Sequence, residues 1–309
     1  MRVRAAILYF ALLSPLWAIW IAVLPNELYF DGRAKMGTLG SVEASKELAF
    51  ALFTGDSKDG HTPCSDRAIA DDIESYFERL KIPVLYTPGD NEWTDCHRRS
   101  CGSYDPLERL DFLRRRFFGK KRMQGPKAPA VERMRGYPEN SIYIEDSVLF
   151  VTLHLVGSAN GFSKSCKRGG GVCMRMNDEA KARMRADIRW LERAFARATG
   201  RGLPVVLIAM QADIFSTKKR RRIYRNMIET LRREALRFDG EILLIHGDTH
   251  RYRFDKPLED EEGRSIENFY RLETFGGESQ NWIKLEIEAG GKEPFRPHVI
   301  EVGESPFEK

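Results

Sequence analysis

Val84-Leu85-Tyr86-Thr87-Pro88-Gly89-Asp90-Asn91-Glu92-Trp93-Thr94-Asp95-Cys96 begins as a short apolar run and stops at a Gly-Asp pair. The pattern recurs along the chain. Ala49–Phe53 leads to Gly55-Asp56, Val205–Ala209 to Asp213, and Ile242–Ile245 to Gly247-Asp248. One Gly-Asp after a strand is a turn signal, because Gly takes positive φ and Asp bonds its own backbone. Several at equivalent strand ends say more. Strands alternating with helices make a largely buried sheet, and ligands bind such sheets beyond the carboxyl ends of the strands. Carboxylates gathered there repel one another, and a divalent cation relieves that repulsion by charge and by coordination.

The intervening sequence supplies the alternation. Ile69, Ile73, Phe77 and Leu80 recur at helical spacing and predict a helix over Asp66–Lys81 that feeds the Val84 strand. Asp105-Pro106 reads as a helix start, with Leu107, Leu110 and Leu113 continuing toward Phe117. Strands follow at Ser141–Glu145 and Val148–Val156. Helices marked by Met184–Phe195 and Tyr224–Phe238 lead into the Val205 and Ile242 strands. From Phe269 onward the pattern is short strands without helices, at Phe269–Thr274, Trp282–Ile287 and His298–Val302.

The string Tyr86–Cys96 resembles the third motif of the calcineurin-like metallophosphoesterases, where a strand ends in Gly-Asn-His-Glu or Gly-Asn-His-Asp. It looks most like a bacterial branch that reads Gly-Asp-Asn-Glu-Trp at this point. Gly55-Asp56-Ser57-Lys58 is similar to the second motif. Gly247-Asp248-Thr249-His250 is similar to the last, Gly-His-x-His, with Asp in place of its first His. The resemblance covers about residues 45–285 and implies an α/β fold of the two-sheet α/β/β/α sandwich type. It also implies metal-dependent hydrolysis of phosphoester bonds, with two divalent ions bridged by Asp56. Asp90 stands at the place of the family's metal-binding Asn. Asp248 and His250 are further ligands, and Gln211 or Asp213 occupies the place of a ligand His. This oxygen-rich set favours manganese among Mn, Mg, Ca, Zn and Fe.

Asn91 replaces the family His that steadies the transferring phosphoryl group or protonates the leaving oxygen. An amide donates a hydrogen bond but not a proton. Asn91 is thus a candidate catalytic residue. His154, approaching a strand end in Thr152–Asn160, is the candidate for the missing imidazole, although its apolar neighbours favour a buried structural His. Lys58 is the candidate substrate-binding residue, and Glu92 and Trp93 are expected to buttress the loop. The first motif, Asp-x-His, has only Asp31-Gly32-Arg33 as a counterpart, in a linker over residues 26–45 with a short strand at Leu28–Asp31.

Composition sets the outer limits. At 309 residues and 42% hydrophobic content, with no low-complexity tract, the chain carries one folded domain of catalytic size over residues 46–309. The formal charge of +5 is too mild to call for a nucleic-acid partner. Neither basic cluster, Arg114–Arg116 with Lys120–Arg122 or Lys218–Arg222, comes with interleaved aromatics or a recognisable module. The second lies where a helix starts and an anion or headgroup could dock.

Ala5–Leu24 is an uncharged, mostly apolar run of twenty residues behind Arg2 and Arg4. It is long enough to span a membrane with the N-terminus in the cytoplasm. Residues 1–25 therefore read as a signal anchor or signal peptide, with a buried first helix as the alternative. Export to the periplasmic or cell-envelope side follows, and disulfides are expected between Cys96 and Cys101 and between Cys166 and Cys173. Cys64 is left over, and five reduced cysteines in a cytoplasmic enzyme are the alternative. The substrate class is a phosphorylated small molecule or lipid headgroup. A non-catalytic binding protein on the same scaffold, or a structural domain holding one calcium, are the rival readings.

Overall fold

In chain order the elements of this computed structural model, which describes residues 18–30, 33–162 and 171–303, are as follows. β1 is Ile19–Val23, β2 and β3 form a hairpin of Tyr29–Phe30 and Arg33–Ala34, α1 is Met36–Ala44 and β4 is Phe50–Phe53. A π-helical turn, Arg67–Asp71, runs into α2 at Asp72–Arg79, followed by β5 at Val84–Tyr86 and α3 at Pro106–Phe117. β6 (Glu132–Met134), β7 (Tyr137–Glu145) and β8 (Val148–Thr152) lead to a single turn, α4 (Gly157–Asn160), and then to the long α5 (Gly171–Arg201). β9 (Val205–Ala209), α6 (Lys218–Ile223), α7 (Arg225–Arg237) and β10 (Glu241–His246) follow. β11 (Arg253–Asp255), β12 (Phe269–Glu273), β13 (Trp282–Ile287) and β14 (Phe295–Ile300) close the described chain.

Two sheets result, one ordered β14-β13-β1-β4-β5 and the other β11-β12-β10-β9-β8-β7-β6. Strand alternation decides what each face meets. Ile21, Val23, Phe50 and Leu52 of the first sheet face Phe150, Leu207, Leu243 and Ile245 of the second in one buried layer. Ala22, Ala51, Phe53 and Tyr86 point the other way, under Ile73, Phe77 and Leu113. Val206, Ile208, Ile242 and Leu244 lie under Leu191, Phe195, Met227 and Leu231 on the far side. The order of layers is therefore helix, sheet, sheet, helix, as expected.

The N-terminal expectation is corrected. Ile19–Val23, the end of the supposed membrane span, is the central strand of the first sheet, antiparallel to β13 and parallel to β4. A strand covered on both faces reads as a continuous apolar run, just as a span does. The domain therefore begins no later than Ile19, and residues 26–45 hold a hairpin and a helix rather than a linker. Among the described residues no helix is long and apolar enough to cross a membrane. The remainder of the run, residues 5–17, lies outside the described residues, as does Asp31.

The cysteine pairing is corrected too. Cys96 bonds Cys64, with a Cα separation of 5.7 Å. Cys101 is a buried free thiol whose Sγ donates to the Gly60 carbonyl at 3.1 Å. Two successive 3-10 turns carry Cys96 and Cys101, and the topology brings Cys64 to Cys96 from 32 residues upstream. Cys173 is disulfide-bonded, and Cys166 lies outside the described residues.

Candidate metal centre

The carboxyl ends of β1, β4, β5, β9 and β10 meet at one edge of the two sheets. Glu27, Asp56, Asp90, Asn91, Asp248 and His250 line a common cleft of about 530 Å³, with Asp95, Arg98, Ser158, Lys219 and Arg220 on its walls. Backbone shape aims these side chains: Glu27, Asp56, Asp248 and His250 all have left-handed φ, between 56° and 76°. Positions of that kind are strained for residues with a Cβ and are held only where surroundings enforce them.

Glu92 does much of the enforcing. Fully buried, it accepts hydrogen bonds from the backbone N–H of Asp56 (3.1 Å), Ser57 (2.9 Å) and Gly89 (3.1 Å), and from the Tyr86 hydroxyl (3.2 Å). The two loops after β4 and β5 are thereby tied to one carboxylate, and the Cys64–Cys96 bond ties them again farther out. Gly89 and Gly55 allow the loops to touch, because a Cβ on Gly89 would stand 2.1 Å from Asp56 Oδ1.

Gln211, rather than Asp213, reaches the centre. Its amide donates to Asp56 Oδ2 at 2.8 Å and to Asp90 Oδ1 at 3.2 Å, while its carbonyl accepts from Gly157 N at 2.5 Å. Asp213 is turned inward, with Oδ1 accepting from the backbone of Phe215 and Ser216. Asp248 accepts from Asp213 N at 3.0 Å and is paired with Arg220. Gly157 separates Asp90 from Asp248: a Cβ there would lie 2.6 Å from one carboxylate and 2.8 Å from the other.

Burial governs the electrostatics. Desolvation, and then the neighbouring Asp90 and Glu92, push the Asp56 carboxyl well above its ordinary range. Desolvation raises Asp90, with Asp95 adding to it, and also raises Asp248. Glu27 is raised to about 7, again chiefly by burial. Burial depresses His250, with Lys35 second. Asp248 has Arg220 beside it and Glu27 has Lys35, but Asp56 is raised further by Asp90 and Glu92, and Asp90 by Asp95, a repulsion that a bound cation relieves.

The fit to a divalent ion can be tested on the donors. Among the described residues no three His, Cys, Asp or Glu side chains are gathered into a metal site of their own. Asp56 and Asp90, bridged by the Gln211 amide N–H, and Asp248 beyond Gly157 offer carboxylate oxygens of the kind a hard cation takes. These residues fit one such ion. The other side of the cleft fits less well. Glu27 Oε1 is 3.9 Å from His250 Nε2, but the nearly buried Lys35 brings a cation of its own and donates to the Asn26 carbonyl at 3.2 Å. The Asn26 amide is spent, donating to Gly55 O at 2.7 Å and accepting from Asp248 N at 3.1 Å.

Of the residues expected in the site, Asp56, Asp90, Asn91, Asp248 and His250 converge on the cleft, and Gln211 joins them from behind. Lys58 and His154 do not. Lys58 is fully buried, its ammonium donating to the Asp59 carbonyl at 3.0 Å. His154 is fully buried beside Trp93, with Nδ1 2.7 Å from Glu139 Oε1, and does not line the cleft. Its apolar flanks were the sign of this.

Asn26, Glu27, Asp95, Arg98 and Ser158 were missed. Asn26 and Glu27 follow β1, the place where the first motif was sought at Asp31. The signal was an apolar run ending in Pro25-Asn26-Glu27, masked because the run was long enough to be a membrane span.

No family model matches the chain, and no curated protein resembles it in sequence. Solved structures do match it in shape. One is a dimetal phosphatase from Danio rerio, with a TM-score of 0.50 over 94% of this chain and 100% of that one, at 11% sequence identity. At that identity the likeness establishes a common two-sheet α/β architecture.

Proposed function

We propose that the protein is a metal-dependent phosphoester hydrolase of the calcineurin-like metallophosphoesterase type. The observation that carries this is the convergence of Asp56, Asp90, Gln211 and Asp248 from four strand ends, three of them carboxylates whose proton affinity burial raises. A divalent ion bound there supplies the charge that polarises phosphoryl oxygens and acidifies water. Asp56, Asp90 and Asp248 would hold it, with Gln211 steadying Asp56 and Asp90 through its amide N–H, and manganese suits their oxygen-rich chemistry.

The chain's own residues do the rest. Arg98 and Lys219 put positive charge on the cleft wall, where the oxygens of an anionic ester would lie. Arg98 is steadied by Asp95 at 2.7 Å, and Asp95 by the Ser158 hydroxyl at 2.9 Å. Asn91 lines the cleft with its amide nitrogen donating to the Lys58 carbonyl at 3.2 Å, which leaves one N–H for a substrate oxygen. With His154 withdrawn into the core, His250 is the one imidazole on the cleft wall among the described residues. The Cys64–Cys96 disulfide supports an oxidising, extracytoplasmic location.

The test uses an activated ester. The protein with manganese hydrolyses p-nitrophenyl phosphate, chelator abolishes the activity, and Asp90→Ala lowers the rate at least about a hundredfold, roughly 2.7 kcal/mol in barrier. The burial of Lys58 and His154 away from the cleft favours one second reading, a binding protein on this scaffold. Absence of turnover with Mn, Mg, Zn, Fe and Ca across mono- and diesters would establish it.

A further inference from the structure

A second cavity, of about 940 Å³, opens off the cleft. Asp95, Arg98, Ser158, Ala159, Lys219 and Ile223 line both spaces, so the two adjoin. Past that shared wall the described lining is mostly apolar, with Pro106, Phe162 and Met176 alongside Thr94 and His97. Met176 is only 7% exposed, although it belongs to the wall of an open cavity.

We propose that this cavity receives the alcohol portion of the substrate, and that the substrate is a phosphoester of an extended apolar alcohol rather than of a sugar or nucleoside. The proposal rests on the phosphoester reading above and deepens it.

Charge and hydrogen bonding both point this way. Arg98 and Lys219 stand at the junction, so the anionic group sits between them and the carboxylate end while the ester substituent faces the apolar room. A sugar would need donors and acceptors along its walls. Several of the polar groups there are engaged internally. The Thr94 hydroxyl donates to the Asp90 carbonyl at 3.0 Å, and His97 Nδ1 lies 2.7 Å from the Thr94 carbonyl. Asp95 is taken by Arg98 and Ser158. Burying hydroxyls against committed partners costs affinity, whereas burying methylenes gains it. The volume suits a small-molecule site.

The experiment compares methyl, butyl and octyl phosphate as substrates of the manganese-loaded protein, measuring phosphate release. The expected result is a rise in kcat/KM of about three- to fourfold per added methylene until the cavity is filled. Met176→Asp and, separately, Ile223→Asp each reduce the octyl-to-methyl ratio at least about tenfold, with thermal melts confirming that each variant folds. Equal kcat/KM across the series, or an unchanged ratio in both folded variants, overturns the inference while leaving the hydrolase reading in place. If no ester is hydrolysed, the hydrolase reading fails and binding decides the cavity. Displacement of anilinonaphthalene sulfonate by octyl phosphate but not methyl phosphate, lost in both variants, supports it. No displacement, or displacement that survives in both variants, overturns it.

Discussion

Gly157→Ala tests whether Asp90 and Asp248 serve one ion. The added Cβ would stand 2.6 Å from Asp90 Oδ2 and 2.8 Å from Asp248 Oδ1, about 0.6 to 0.8 Å inside ordinary contact. Gly157 does not have positive φ, so the backbone itself accepts alanine. The added methyl instead pushes the two carboxylates apart. Without an ion they can swing away at little cost. Ligand distances to a metal tolerate only about 0.2 Å, so in the loaded state the crowding must be borne in full. Overpacking of this kind costs about 1–3 kcal/mol, which corresponds to about a 5- to 150-fold loss of affinity. Isothermal titration with manganese reads the affinity, and circular-dichroism melts without metal verify the fold. Wild-type affinity in a folded Gly157→Ala protein would refute the claim that these two carboxylates share an ion.

Two further outcomes follow from features away from the ion. Reducing the Cys64–Cys96 bond should lower stability by about 2–4 kcal/mol, seen as a shift in the urea midpoint. Peptide mapping should find that pair intact and Cys101 alkylated only after denaturation. Asp187, on the buried face of α5 against Asn140, is raised to about 7 by burial, so between about pH 4 and 7 the folded state binds more protons than the unfolded state. Its contribution therefore falls as pH rises through that window. His246, depressed to about 4 by burial, contributes the opposite slope up to about pH 6.5. The difference between wild type and Asp187→Asn isolates the first effect: the variant gains relative stability from pH 4 to 7 and levels off above, and a flat difference in urea melts would contradict this account.

How much was legible depended on how many faces of an element are covered. The strands ending at Asp56, Asp90 and Asp248 were readable because each apolar run stops at a turn signal that only a strand end needs. α2, α3 and α7 were readable because each buries one stripe. β1 was not: with β4 and β13 at its edges and apolar layers on both faces, it carries no alternation. The error propagated, since displacing the first strand hid Asn26 and Glu27 and sent the search for a first motif to Asp31. The choice of Gln211 over Asp213 turned on a two-residue difference in loop path, which no periodicity encodes. Lys58 and His154 failed for a related reason, because strand-end position does not say whether a side chain looks into the cleft or back into the core.

If the proposed site holds a cation, the placement of β1 also bears on which one. Ile19–Val23 is held in its sheet by Ile283–Ile287, and Asn26 holds the Asp248 backbone, so segments from both ends of the chain must meet before the cleft exists. A nascent or unfolded chain has nothing shaped to select an ion. Because divalent selectivity in oxygen-rich sites follows supply as much as intrinsic affinity, the cation is chosen wherever folding finishes. If that is beyond the cytoplasmic membrane, the loaded metal reflects the outside supply, and recombinant protein folded elsewhere can carry a different ion with the same structure.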